Sequence, residues 1–224
     1  MVKQEFIDRS PVRVFEQSLN GGLKAGEVGV ITSRKGLGKT SVLVQLGLDM
    51  LLQDKVVIHV SFNQQSDNVI TWYNDIFDEL SKKKNLAEAA DIKDELMRKR
   101  IILNFNQDSV KAEQIVNTLK AFAVGGFAPA CVIVDGLDMG RVTTDDLAIL
   151  KNYGKEAGIC VWFSYNAESE DIAAVFGDLA ASIENVVAIS QDGKSLVLKV
   201  LKAHSAASTT SLKLDAKTLL ISEK

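Results

Sequence analysis

The sequence has little cysteine and little proline, and neither residue is clustered. Cys131 and Cys160 are the two cysteines among 224 residues, and each lies inside an apolar run with no C-x-x-C or Cys/His spacing. Disulfide frameworks and metal sites show paired or clustered cysteines, so we expect two buried strand thiols instead. With only two prolines, 46% hydrophobic and 25% charged residues, the chain has the composition of an ordinary globular protein and not of a disordered one.

The sequence also lacks a basic excess and a long apolar segment. Lys and Arg number 26 against 29 Asp and Glu, which gives a formal net charge of −3. Nucleic-acid-binding domains usually carry a basic patch or stripe, and this balance provides no general attraction to nucleic acid. No apolar run approaches the roughly 20 residues that cross a membrane, and residues 1–6 lack the apolar core of a signal peptide. We therefore expect a cytoplasmic protein with no membrane partner.

What the sequence does contain is a glycine-rich turn between a strand pattern and a helix pattern. The strand pattern covers Val28–Ile31, and the turn that follows reads Ser33, Arg34, Lys35, Gly36, Leu37, Gly38, Lys39, Thr40, with Ser41 next. In a phosphate-binding loop, backbone N–H groups surround phosphate oxygens, a lysine reaches the β- and γ-phosphates and a hydroxyl takes a Mg²⁺ position. Lys39 and Thr40 are the residues for the last two roles.

The loop is a variant, because Ser33 stands where the pattern G-x-x-x-x-G-K-[ST] has its first glycine. We predict that residues 33–41 bind the phosphates of ATP together with Mg²⁺. A surface turn that binds nothing is the alternative, and the flanking strand and helix patterns favour the phosphate loop over it.

A second apolar run ends in an acidic residue. Cys131–Val134 is followed directly by Asp135. Ligands of open α/β sheets bind at the carboxyl ends of the strands, and Asp135 is therefore the predicted Mg²⁺ partner of Thr40. An aspartate that only starts a turn is the alternative.

Strand and helix patterns alternate along most of the chain. Apolar runs at 56–62, 101–105, 130–134 and 159–164 predict strands, and helix patterns occur at 39–53, 66–80, 110–123 and 144–156. This alternation predicts an α/β fold with a mostly parallel central sheet flanked by helices. Alternating segments at 186–190, 196–201 and 211–214, separated by turns, predict antiparallel strands added at the C-terminal end.

These patterns predict one domain over residues 1–224, since no long linker divides them. Residues 1–20 form a lead-in in which Pro11 starts a helical turn. Residues 78–100 carry charges of both signs, which are typical of a solvated helix face. We predict a charged helical insertion or lid there, in preference to a basic binding site.

One histidine and two aromatic residues within the strand and helix patterns are of types that also occur in functional sites. His59 lies in the second strand pattern, and a lone strand histidine is usually a core residue with satisfied hydrogen bonds. Trp72 and Tyr73 follow in the next helix pattern, and we expect them to serve as core or as a subunit contact.

The order of these features resembles the ATPase domain of the RecA/KaiC superfamily, including RadA and DnaB-type helicases. The most specific part is the lead-in Gly21-Gly22-Leu23-Lys24-Ala25-Gly26-Glu27, and the resemblance covers about residues 18–215. It implies a RecA-like P-loop fold, ATP and Mg²⁺ as ligands, and a homo-oligomeric ring, with a hexamer as the family example. No protein partner is indicated.

The resemblance is weakest at the catalytic acid. In that family the strand after the first helix ends in glutamate that activates water, and Asn63 and Gln64 occupy those places here. Neither amide accepts a proton at neutral pH, although a glutamine can orient water. The resemblance therefore implies nucleotide binding with slow or impaired hydrolysis, and no catalytic residue is assigned.

Two further family positions are also changed. The family's Lys-x-Arg segment, which reaches the neighbouring subunit's nucleotide, has Lys202 in the lysine place and His204 in the arginine place. Lys202 can still act in trans, and an edge-strand lysine in solvent is the alternative. Asn166 stands near the family's polar sensor.

Several functions stay open at this point. The first is an ATP-binding, oligomerising or regulatory module, and the second is an active ATPase whose base is Asp67 or Asp138. Lys35 also gives the loop a likeness to the deviant Walker A loop of MinD/ParA ATPases. A DNA-acting motor is disfavoured by the acidic stretch at 168–171, since acidic side chains repel phosphates. A structural protein that binds no nucleotide is the last alternative.

Overall fold

A single sheet of ten strands organises the fold. The computed structural model describes residues 2–62, 64–84, 89–106 and 111–222. The strands are β1 (Val28–Ser33), β2 (Val56–Ser61), β3 (Arg100–Asn104), β4 (Pro129–Asp135), β5 (Cys160–Asn166), β6 (Asn185–Asp192), β7 (Ser195–Ala203), β8 (Ala206–Ala207), β9 (Ser211–Leu214) and β10 (Ile221–Ser222).

Helices connect the strands of the first three quarters of the chain. They are α1 (Val2–Asp8), α2 (Pro11–Ser18), α3 (Lys39–Leu52), α4 (Ser66–Lys84), α5 (Ala89–Arg98), α6 (Ala112–Val124), α7 (Thr144–Ala157) and α8 (Ile172–Phe176). Short 3₁₀ turns occur at Met139–Arg141 and Gly177–Ser182. None of the described helices is both long enough and apolar enough to cross a bilayer.

The strand order confirms an α/β fold with a mostly parallel sheet and antiparallel strands at its C-terminal end. The order is β10-β9-β7-β6-β1-β5-β4-β2-β3, with β8 paired to β7. Strands β1 to β6 are mutually parallel, whereas β7 to β10 run antiparallel to their neighbours.

The 186–190 segment corrects one expectation. It was expected to be an antiparallel strand, but β6 pairs in parallel with β1 and only its other edge pairs antiparallel with β7. Its residues Val186–Ile189 are all buried, as expected for an inner strand.

Helices cover both faces of the sheet, which explains the nearly continuous apolar strands. One core contains Phe6 and Phe15 from the lead-in, residues of α3 and α4, and Leu96 from α5. The other core contains residues of α6, α7 and α8, such as Ile115 and Leu147. Because helices cover both faces, a ligand would reach the sheet at the carboxyl ends of its strands.

The lead-in and the charged segment are both helical where they are described. Pro11 begins α2 as predicted, and Ser10 Oγ accepts a hydrogen bond from the N–H of Val12. Residues 78–84 continue α4, and α5 covers most of the remaining segment. Because Leu96 is fully buried, α5 is amphipathic and packs against the core. Residues 85–88 and Val110, parts of two predicted elements, lie outside the described residues.

The two cysteines meet across the middle of the sheet. Cys131 of β4 and Cys160 of β5 are directly opposite in register, and both are free, buried thiols. The prediction of two buried strand thiols is confirmed.

Candidate functional site

The turn between β1 and α3 has the backbone geometry of an anion-binding loop. Gly36 and Gly38 have φ values of +89° and +98°, a region that favours glycine. Gly38 is the N-cap of α3 and has no side chain to satisfy the first N–H groups of the helix. Those N–H groups and the positive end of the helix dipole therefore favour an anion at the end of β1.

Lys39 folds back over this turn. Its Nζ donates to Ser33 O at 3.3 Å, to Ser33 Oγ at 3.1 Å and to Arg34 O at 3.2 Å. Burial lowers the pKa of Lys39, although the charge of Asp135 opposes this shift. The Lys39 ammonium is thus hydrogen-bonded to neutral oxygens. A bound phosphate would offer it negatively charged oxygens in their place.

Ser33 has a defined role at the position of the missing glycine. Its hydroxyl donates to Arg34 O at 2.7 Å and accepts from Lys39. Ser33 is 4% exposed, so it is buried within the loop.

Thr40 and Asp135 are brought together although they are far apart in sequence. Thr40 Oγ1 donates to Asp135 Oδ2 at 2.8 Å. The other carboxylate oxygen, Oδ1, accepts from Ser164 Oγ at 2.5 Å, and Ser164 Oγ accepts from Gly136 N at 2.8 Å. Three neighbouring elements, α3, β4 and β5, therefore fix the carboxylate at the carboxyl edge of the sheet.

Asp135 is 5% exposed and is held as a carboxylate. Burial alone would raise its pKa, but the contacts with His59, Ser164 and Thr40 outweigh burial and lower the pKa on balance. An ionised carboxylate beside a hydroxyl is an oxygen donor set that suits Mg²⁺.

Gln64, which the resemblance aligns with a catalytic acid, has an amide that points at Thr40. Gln64 Nε2 donates to Thr40 Oγ1 at 3.3 Å. The backbone of Gln64 is fixed by Ser61 Oγ, which donates to Gln64 O at 3.0 Å and accepts from Gln64 N at 3.1 Å. Asn104 Nδ2 also donates to Gln64 O. Asn63, the other residue at this position, lies outside the described residues.

These groups line one cavity of about 800 Å³ at the carboxyl edge of the sheet. That volume lies within the range of small-molecule sites. Its lining residues include Lys35, Lys39, Thr40, Gln64, Asp135 and Asp138. Half-buried Trp72 and Tyr165 add aromatic walls, and Asn166, the sensor candidate, lies on the rim.

The C-terminal segment forms another wall of the cavity. Leu219 lines the cavity, and its carbonyl oxygen accepts from Ser41 Oγ at 3.1 Å and from Gln45 Nε2 at 2.9 Å. Gln45 Oε1 in turn accepts from Ile221 N at 2.8 Å. The buried amide of Gln45 thus links α3 to the last strand, β10.

The remaining predicted residues lie away from the centre of the cavity. Lys202 donates to Ala180 O and Ile183 O, both at 2.7 Å, and pairs with Val186 near the start of β6, at the edge opposite the cavity. Its action on a neighbouring subunit stays a prediction. His204 Nδ1 lies 3.5 Å from Glu27 Oε2, beside the lead-in.

The outer part of the loop is open to solvent. Exposed Arg34 forms an ion pair with Glu168 at 2.8 Å, and Lys35 is exposed on the cavity rim. Among the proposed bases, Asp138 lines the cavity, whereas Asp67 is exposed at the start of α4 and lies outside the lining.

Sequence reasoning missed four residues that the fold brings to the site, namely His59, Ser164, Gln45 and Leu219. His59 was expected to be a satisfied core residue. It is fully buried, but among the described residues its Nε2 has no hydrogen-bond partner and lies 3.9 Å from Asp135 Oδ2. A polar residue inside an apolar strand was the available signal for His59.

Among the described residues, Thr40 and Asp135 are the oxygen ligands that this site offers to a metal. The described residues contain no cluster of three or more His, Cys, Asp or Glu side chains suited to a metal ion. Mg²⁺ commonly binds through one or two protein oxygens, completed by water and phosphate oxygens. Thr40 and Asp135 fit that requirement. Neither the protein-family models nor the curated proteins compared with this chain gave a match.

Proposed function

We propose that this protein binds ATP with Mg²⁺ at the carboxyl edge of the sheet and uses it as a slowly turned-over regulatory ligand. The observation that carries the proposal is the hydrogen bond of 2.8 Å between Thr40 Oγ1 and Asp135 Oδ2 beside the Lys39 loop. A lysine, a hydroxyl and a carboxylate converge there at an uncapped helix N-terminus, the combination that a nucleoside triphosphate with Mg²⁺ requires.

Each group has a defined task when nucleotide binds. The N–H groups at the start of α3 donate to phosphate oxygens, and Lys39 exchanges its bonds to Ser33 and Arg34 for bonds to the terminal phosphates. Thr40 and Asp135 hold Mg²⁺, which supplies charge neutralisation at the phosphates. Half-buried Trp72 offers a flat apolar surface on the cavity wall.

Slow hydrolysis follows from the chemistry of Gln64. Its amide donates to Thr40 and cannot remove a proton from water, although it can orient one. The same site can therefore hold ATP long enough for binding itself to shift a conformational or assembly equilibrium.

A RecA/KaiC-like identity and a homo-oligomeric, ring-forming state are part of the proposal. They are supported by the Gly21–Glu27 lead-in and by a parallel sheet whose phosphate loop follows the central strand β1. In such an assembly Lys202 would approach the neighbouring subunit's nucleotide.

The test is calorimetric titration with MgATP and MgADP, followed by light scattering of the same samples. We expect binding to the wild type, loss of binding in Lys39→Ala and a nucleotide-dependent change in mass. Lys35→Ala tests the deviant Walker A alternative, which predicts a loss of binding as large as that in Lys39→Ala, whereas this proposal predicts a smaller loss. Equal heats for wild type and Lys39→Ala would contradict the proposal.

An active ATPase is the second candidate, and the position of Asp138 favours it. Asp138 lines the same cavity as Thr40, and its Oδ1 accepts from Gly140 N at 3.0 Å. If Asp138 is the base, phosphate release by the wild type exceeds that of Lys39→Ala and is lost in Asp138→Asn. Turnover no higher than in Lys39→Ala would exclude this candidate.

A further inference from the structure

His59 lies behind the carboxylate of the proposed metal site. The imidazole is fully buried on β2, with Nδ1 at 3.3 Å from Tyr73 Oη and Nε2 at 3.9 Å from Asp135 Oδ2. Tyr73 is also fully buried. A distance of 3.9 Å is too long for a hydrogen bond, and a shift below about 1 Å would create one.

The surroundings fix which nitrogen of His59 carries the proton. A neutral imidazole has one N–H and one acceptor nitrogen, and an ionised carboxylate only accepts. Nε2 faces Asp135, so the N–H belongs on Nε2 and Nδ1 accepts from the hydroxyl of Tyr73. Burial raises the pKa of Tyr73, so its hydroxyl keeps the proton that it can donate to Nδ1.

Tyr73 is itself positioned by the helix that carries the phosphate loop. A Cβ on Gly47 of α3 would lie 2.5 Å from Tyr73 Oη, so the hydroxyl packs directly against the helix backbone. On its other side, the guanidinium of Arg100 lies 4.7 Å from the centre of the Tyr73 ring. The donor to His59 is thus held between α3 and the edge strand β3.

We propose that His59 is a positioning residue for Asp135, with Tyr73 holding the imidazole in place through Nδ1. The His59 Nε2–H closes onto Oδ2 when Mg²⁺ and nucleotide bind, and it holds that oxygen in place beside Thr40. Ser164 secures the opposite oxygen. The part of this inference that concerns Mg²⁺ rests on the proposed function, whereas the tautomer does not.

The tautomer is testable without any ligand. His59 and His204 are the only histidines, so long-range ¹⁵N NMR of the His204→Gln variant reports on His59 alone. We expect a single Nε2–H tautomer, because the carboxylate of Asp135 faces Nε2. Tyr73→Phe should keep that tautomer and shift the Nδ1 resonance, since Nδ1 loses its hydrogen-bond donor. An Nδ1–H tautomer or an imidazolium with Tyr73 intact would overturn the inference, as would an Nδ1 resonance that is unchanged in Tyr73→Phe.

The positioning role is tested by the gain in ADP affinity that Mg²⁺ produces. Substitution of a residue that hydrogen-bonds a metal ligand, without contacting the metal itself, typically lowers metal affinity roughly 10- to 100-fold. We expect His59→Leu to reduce the Mg²⁺-dependent gain by that order while ADP affinity in EDTA stays unchanged. His59→Gln, which keeps an N–H near the place of Nε2, should recover part of the gain.

The outcomes separate the two proposals. An undiminished gain in His59→Leu overturns the positioning role, and Tyr73→Phe provides the same comparison if His59→Leu does not fold. Equal loss of ADP affinity with and without Mg²⁺ indicates a merely structural role and also overturns it. Wild type that binds no ADP contradicts the proposed function, and the NMR experiment still decides the tautomer.

Discussion

Gln64 Nε2 donates to Thr40 Oγ1 over 3.3 Å, which places an amide where the resemblance to RecA/KaiC ATPases expects a carboxylate. The backbone of Gln64 is held by Ser61 and Asn104. The side chain of Gln64 is therefore fixed at the cavity, and under the proposed function its identity would decide whether bound nucleotide is hydrolysed rapidly.

A carboxylate at this position should increase turnover. We expect Gln64→Glu to raise the ATP hydrolysis rate at least roughly tenfold, because a positioned general base contributes about 10²- to 10⁴-fold and the nearby charge of Asp135 reduces the benefit. Phosphate release under saturating MgATP measures this. Gln65 is exposed and offers a control, since Gln65→Glu should leave the hydrolysis rate unchanged. Equal rates in wild type and Gln64→Glu would count against a catalytic position here.

Tryptophan fluorescence should report nucleotide binding through one residue. Trp72 lines the cavity, whereas Trp162 is 3% exposed and packs against Phe15. We expect MgADP to change the emission of wild type and of Trp162→Phe, because the ligand alters the solvation of Trp72. The change should disappear in Trp72→Phe. A signal that follows Trp162 would place the ligand elsewhere.

The buried amide of Gln45 should stabilise the whole fold. It is 1% exposed and bonds both Leu219 O and Ile221 N. In Gln45→Met the N–H of Ile221 loses its partner, and an unsatisfied buried group costs about 1–3 kcal/mol. Urea denaturation should show a loss of about 2 kcal/mol, against almost none for Gln65→Met at an exposed site. Equal stability of the two variants would refute this role.

The ion pairs of Asp54 should contribute a pH-dependent part of the stability. Hydrogen bonds from Lys3 and Lys99 lower the pKa of Asp54 to about 2, from an ordinary value of 3.8. Since the folded-state pKa is lowered, the stabilisation is present above pH 3.8 and is lost as the pH falls toward 2.

Asp54→Asn tests this, because it removes the charge of the side chain while asparagine also tolerates the positive φ of this position. We expect a loss below about 1 kcal/mol at pH 7, since solvent screens exposed ion pairs, and a smaller loss at pH 3. Urea midpoints across this range measure the difference. A loss that grows toward acid pH would contradict the assignment.

The inner strands and their helices could be predicted from sequence because local patterns specify them. The apolar runs ending at Ser33 and Asp135 contain the signals for both strands, and they also locate the carboxyl edge. The direction of β6 could not be predicted in this way. Its residues Val186–Ile189 form a short, continuously buried apolar run that fits either direction, and its parallel pairing with β1 depends on the path of the chain through α8.

Site residues that depend on tertiary contacts were also beyond sequence reasoning. Lys39, Thr40 and Asp135 stand in recognisable local patterns. Leu219 joins them only because Gln45 binds the last strand to α3, and His59 faces Asp135 only because β2 and β4 are neighbours in the sheet. No local sequence pattern indicates that Leu219 lies beside Gln45, or that His59 lies beside Asp135.

The central place of β1 also has a consequence for folding kinetics. Gly29 pairs with Trp162 on one side and with Asn185 on the other. Both edges of β1 therefore pair with strands that come much later in the sequence. Such distant pairings slow folding, because long loops must close before the contacts form. The turn at residues 33–40 therefore follows a strand that is paired on both edges only once β5 and β6 are in place, and a growing chain that has not yet reached β6 still has an unpaired edge on β1.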